Sequence, residues 1–140
     1  MSDNAADILR RWFQLVWVEG RTEYIEALAA PDVRIQGLDG SHHVTSGAAG
    51  FREFYDLMHA SFGDFQFTLH DVVGPGPIGA ARWTMRLRHT GDGAGVPATG
   101  KEVAVSGMTF IEVADGRIVA GWNEWDRATL LREIGVVSPN

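Results

Sequence analysis

The sequence contains no cysteine. That excludes a disulfide framework, a thiol nucleophile and a cysteine-ligated zinc site, and confines side-chain chemistry to carboxylate, imidazole and amide groups. Basic residues are scarce, 12 Lys and Arg against 18 Asp and Glu, for a net charge of −6 at pH 7. Nucleic acid and anionic membrane surfaces both call for a basic face, so neither is an expected partner. The longest uncharged apolar stretch near the start, Trp12–Val18, falls far short of the ~20 residues that cross a bilayer. No basic leader with a small-residue cleavage site precedes it, so a cytoplasmic protein is the default expectation. Repeats, low-complexity tracts and linkers are missing, and 140 residues is a one-domain length, so a single domain over 1–140 is expected.

What is present is an ordinary globular composition, 45% apolar and 21% charged, in a chain long enough to bury roughly two thirds of its unfolded surface. Seven Phe, five Trp and two Tyr are many rings for this length. They either fill a core or line a pocket for a flat apolar ligand.

The amphipathic run after Ser2-Asp3-Asn4 predicts a first helix over Asp3–Glu19, apolar nearly all round in its second half and ended by Gly20. Thr22 opens a short second helix to Ala29, stopped by Pro31-Asp32. Val33, Ile35 and Leu38 alternate as a strand, Asp39-Gly40 reads as a hairpin turn, and His42–Thr45 as the return strand. Phe51, Phe54, Tyr55, Met58 and Phe62 recur at helical spacing behind Gly47–Gly50.

From Phe65 the period becomes two. Ile78–His89 is a long strand with Trp83, Met85, Leu87 and His89 on one face and Arg82, Thr84, Arg86 and Arg88 on the other. Gly91–Gly100 is a glycine-rich rim loop, Val103–Val113 and Ile118–Trp125 form a hairpin about Asp115-Gly116, and Thr129–Ile134 is a closing helical turn. The predicted class is α+β: three helices in the first half, packed on a strongly curved antiparallel sheet that forms a cone with an internal pocket.

Several patterns are absent. No HExxH or i, i+4 His pair with a nearby carboxylate occurs, so no metal is expected. Gly91–Gly95 is followed by no P-loop Lys-Ser/Thr, and no G-x-S-x-G marks a serine nucleophile.

Phe65–Val73, Ala81-Arg82-Trp83-Thr84, His89-Thr90-Gly91, Gly95–Lys101, Asp115–Val119, Trp122–Asp126 and Leu130–Gly135, in this order and spacing, resemble the SnoaL-like polyketide cyclase family of the cystatin-like α+β cone superfamily. The resemblance runs from about residue 5 to 137. It implies cofactor-free acid/base chemistry of the intramolecular aldol type on a hydrophobic, carbonyl-bearing, polycyclic small molecule, and a homodimer formed through the outer sheet face that carries Arg82, Thr84, Arg86 and Arg88. Cofactor-free hydroxylation and simple binding of a hydrophobic ligand are the alternatives within the same family.

The resemblance also implies an acidic general base on the last strand, a carboxylate whose pKa rises on burial. Relatives often carry Trp-Asp where this chain has Trp122-Asn123. An amide can polarise an oxygen but cannot accept a proton. Asp126 is then the candidate base, with Glu124 behind it, and His89 or Asn123 the group that polarises an oxygen. Asp126 has a second assignment, as the cap of the closing helical turn, and His89 a second one, as a tie for the glycine-rich loop. Trp83, Trp125, Tyr55 and Trp17, together with Phe110 and His59, are the candidate substrate-binding residues. An unbulged two-residue turn pairs Met108 with Asn123 and Thr109 with Trp122, which sets Asn123 and Trp125 beside Met108 and Phe110; a bulge exchanges the two sets.

Overall fold

The computed structural model describes residues 4–136; Ser2 and Asp3, part of the expected first helix start, lie outside them. Asn4 caps α1 (Ala5–Arg11), its side-chain oxygen accepting from the Asp7 N–H at 2.9 Å. The helix then widens into a π-helix over Trp12–Val18, closed by the Glu19 N–H on the Gln14 carbonyl. This wide turn was not expected, and it has a consequence for side-chain placement. In a π-helix, residues five apart stand above one another. Trp12 and Trp17 accordingly both meet Phe51, at 4.8 and 5.8 Å between ring centroids.

α2 (Glu23–Leu28) runs directly into β1 (Ala29–Gln36), which begins ahead of Pro31 and Asp32, not after them as expected. The register of β1 shifts between Ala29 and Arg34, a bulge of the kind that lets a strand carry a proline without a ladder N–H. β2 (Val44–Ser46), α3 (Gly47–Ser61), β3 (Phe62–Val73), β4 (Ile78–His89), β5 (Glu102–Ala114), β6 (Arg117–Trp125) and α4 (Arg127–Glu133) follow. Phe62, expected on the third helix, begins β3.

The sheet has six strands in the order β2-β1-β6-β5-β4-β3. It is mixed where an antiparallel sheet was expected, because β1 lies parallel to β6 while the other neighbours are antiparallel. β1 and β6 are far apart in sequence, and no local turn signals their pairing. Ile8, Leu9, Phe13 and Val16 lie buried against the inner face, which presents Trp83, Met85 and Leu87 from β4 and Val103, Val105 and Ile111 from β5. Full burial of each large side chain contributes roughly 1.5–3 kcal/mol. The outer face is charged along β4 and β3, with Arg82 on Asp71 at 2.9 Å, and apolar where Met108, Phe110 and Trp122 are exposed.

Candidate functional site

A cavity of about 70 Å³ lies between the helices and the inner sheet face. Trp12, Phe13 and Trp17 of the first helix, Phe51, Phe54 and Met58 of α3, and side chains of β1, β3, β4, β5 and β6 line it. Leu38, Phe54, Asn123 and Trp125 are only half-buried and mark where it meets solvent. No Asp, Glu, His, Lys, Arg or Tyr is among the lining residues.

Four side chains of the sheet wall carry polar atoms, and hydrogen bonds join three of them across three strands. The Trp83 indole N–H donates to Thr109 Oγ1 at 3.0 Å. Thr109 donates onward to Asn123 Oδ1 at 2.8 Å. Asn123 Nδ2 donates to the Gln36 carbonyl at 3.3 Å, reaching β1. The fourth, Trp125, spends its indole N–H on the Leu38 carbonyl at 2.9 Å.

Two glycines make this arrangement possible. A Cβ at Gly107 would collide with the Trp83 ring and the Trp125 Cβ, so the missing side chain leaves room for both indoles. Gly37 has φ +85 and its backbone abuts the Asn123 carbonyl so closely that no Cβ fits. That contact seats the end of β1 beside Asn123.

The expected facing of the last strand is corrected by a bulge. Ala114 pairs with Arg117, but the register shifts between Glu112 and Val113, and from there Thr109 pairs with Asn123 and Phe110 with Trp122. Asn123 and Trp125 therefore share the inner face with Thr109, not with Met108 and Phe110. Ile118 and Gly121 both line the cavity, a spacing of three where a regular strand gives two.

Among the residues expected at the site, Trp83, Trp125, Trp17 and Asn123 line the cavity. Phe110 does not: it lies on the outer face, 45% exposed and edge-on to Trp122 at 5.7 Å. Tyr55 is buried one layer behind Trp17, its hydroxyl donating to the Val16 carbonyl at 3.1 Å; burial raises its pKa. His59 stacks on the Tyr55 ring at 4.1 Å. It lines a separate open groove of about 660 Å³ with Arg86, Arg88 and Glu102.

His89 is fully buried outside the cavity. Its Nδ1 accepts the Thr99 N–H at 3.1 Å, which ties down the glycine-rich loop. Asp126 is exposed at the N-terminus of α4, accepting from the Thr129 N–H at 3.1 Å and the Thr129 hydroxyl at 2.7 Å. These bonds, the hydroxyl first, hold its pKa below the ordinary aspartate value. Neither the carboxylate nor the imidazole thus reaches the cavity. Thr109 escaped the sequence reading. Its signal is its place as the single hydroxyl in the buried row Val103, Val105, Thr109, Ile111 and Val113.

Among the described residues, no group of three or more His, Cys, Asp and Glu could hold a metal ion. Nor is any of their helices long and apolar enough to cross a membrane.

Helices laid in a curved mixed sheet, with an apolar cavity between them, define an α+β cone. The model of the SnoaL-like polyketide cyclase family matches residues 7–134, and the chain belongs to that family. No curated protein matches it. Among solved structures it is similar to IdmH, a candidate polyketide cyclase from Streptomyces antibioticus, at 28% identity and TM-score 0.80, over 94% of this chain and 98% of that one. TsrD from Streptomyces laurentii gives 24% identity and TM-score 0.78, over 98% and 100% of the two chains. AclR, a candidate hydroxylase from Streptomyces galilaeus, gives 20% and 0.77, over 96% and 88%. The likeness to TsrD and AclR is one of fold.

Proposed function

We propose that the chain binds a flat, hydrophobic, carbonyl-bearing small molecule in the cavity and polarises its carbonyl through the Asn123 amide. One observation carries this reading. The apolar wall is interrupted on the sheet side by a hydrogen-bonded polar chain that runs through Asn123, half-buried on the cavity wall, to the Gln36 carbonyl. Pockets of this kind, apolar with few placed polar groups, bind small molecules in a fixed orientation. Polarising a carbonyl is what an aldol-type ring closure asks of a group that cannot take a proton.

Asp126 is not retained as the base of such a reaction, because its carboxylate is exposed and committed to α4. With no titratable side chain lining the cavity, the same observation favours a second reading, binding without turnover. The volume of about 70 Å³ is about half of the ~150 Å³ cavity that admits a single benzene ring, so even a small ring system needs the wall to yield. A polycyclic substrate, which calls for several hundred Å³, enters only if wall side chains such as Phe54 or Trp125 move aside.

Titration with 1-indanone, followed by tryptophan emission, tests the shared part of both readings: saturable quenching supports them, and no binding removes them. Incubation with an aromatic poly-β-ketone, with and without oxygen electrode readout, separates cyclisation, hydroxylation and plain binding. We further propose a homodimer through the outer sheet face, where Met108, Phe110 and Trp122 are exposed beside Arg82 and Arg86. A mass equal to one chain at all concentrations in sedimentation rejects it.

A further inference from the structure

The orientation of the Asn123 amide is set at one end by the Gln36 carbonyl and held at the other by the Thr109 hydroxyl. The Gln36 carbonyl can only accept, so the atom facing it at 3.3 Å is Nδ2. Oδ1 therefore faces Thr109, whose oxygen already accepts the Trp83 indole N–H. The Thr109 hydroxyl proton is then directed at Oδ1, at 2.8 Å. A flipped amide would place Oδ1 against the Gln36 carbonyl, two acceptors with no proton between them.

Nδ2 carries two hydrogens, and one is spent on Gln36. The indole N–H groups of Trp83 and Trp125 and the hydroxyl proton of Thr109 are also spent within the protein. On the sheet wall, the second Nδ2–H is the donor left for a ligand. A ligand that covers this half-buried N–H without offering an acceptor displaces water from it and gives nothing in return, which is unfavourable.

We propose that Thr109 is a positioning residue that, with the Gln36 carbonyl, fixes the Asn123 amide so that the cavity selects ligands presenting a hydrogen-bond acceptor, such as a ring-conjugated carbonyl. The inference rests on the binding reading above and adds to it the chemical class the site discriminates and the residue that enforces it.

The test compares 1-indanone with indane, the same ring system without the oxygen, by calorimetry on the wild type, Thr109→Val and Thr109→Ser. The Asn123 side-chain amide is followed by NMR in each. The wild type is expected to prefer the ketone by about tenfold, the worth of one buried hydrogen bond, with one of the two Asn123 amide protons shifting on ketone binding. Val keeps the shape but drops the hydroxyl, so the amide is held at its Gln36 end alone; the preference falls and the amide signals broaden. Ser restores both.

Equal affinity of the wild type for ketone and hydrocarbon overturns the selection while leaving the cavity a binding site. An undiminished preference in folded Thr109→Val overturns the role of Thr109. If neither compound binds, the binding reading falls and takes this inference with it. Should Thr109→Val fail to fold, the Asn123 amide shift in the wild type and in Thr109→Ser still decides: no shift with bound ketone overturns the proposal.

Discussion

The inner face of one sheet buries two polar side chains, His89 and Thr109, and their surroundings are built differently. At the end of β4, His89 is wholly enclosed; its Nδ1 accepts from Thr99, and its Nε2 meets no partner. Because Nδ1 is the acceptor, the neutral ring carries its proton on Nε2, a donor facing nothing. On β5 and β6, Thr109 and Asn123 are joined to Trp83 and Gln36 in a continuous chain whose spare N–H borders a cavity. An enclosed orphan donor costs about 1–3 kcal/mol and offers nothing to a ligand. A spare donor on a cavity wall is available to one. Burial and an unpartnered polar atom alone would have ranked His89 as the site; access to space separates the two.

Three substitutions test this contrast. His89→Ala removes a large enclosed ring and the partner of the Thr99 N–H, and should lower stability by about 3 kcal/mol. Urea unfolding measures the loss, and hydrogen exchange should quicken in the loop through Thr99, while 1-indanone affinity stays unchanged. A change in affinity without a change in stability would erase the distinction.

Asn123→Asp sets a carboxylate against the Gln36 carbonyl. Folding then favours the protonated acid, which raises its folded pKa above the unfolded value. Stability is retained at low pH and lost as pH rises past the unfolded value. The variant should be about 1–3 kcal/mol less stable than the wild type at pH 8 and close to it at pH 4, by urea unfolding at both. A gap that widens on acidification would contradict the hydrogen-bond pattern drawn for Asn123.

Asp126→Ala should have the smallest effect, about 1 kcal/mol for a lost helix cap. Its depressed pKa means that the native carboxylate stabilises above the ordinary aspartate range, and that this contribution disappears as pH falls through the lowered folded value. The variant's thermal midpoint should therefore fall less on acidification than that of the wild type. Ligand binding should not change; a large loss of binding would return Asp126 to the site.

The sequence carried the helices, the long strands and the parity of β4, because strong alternation of apolar and charged residues leaves one way to face the core. Trp83 on the cavity wall follows from that parity. The π-helical turn was not legible, since Trp12–Val18 is apolar at either helical pitch. The pairing of β1 with β6 is long-range, and no neighbouring residue records it. Asn123 stood out through the resemblance, but its facing did not, because the register of β6 shifts at a valine, Val119, that suits a bulge and a regular strand equally. Phe110 was misplaced for the same reason.

That shift works like a reading frame. Val119 is the extra residue of the shift, so everything after it in β6 is presented to the cavity one step out of phase with an unbulged hairpin, and pairing the same residues without the bulge would change the phase of all that follows. Trp122 and Glu124 would then be displayed inward, and Asn123 and Trp125 outward. The bulge at Val119 thus governs whether this strand shows the cavity an amide or a carboxylate, with no substitution at either residue.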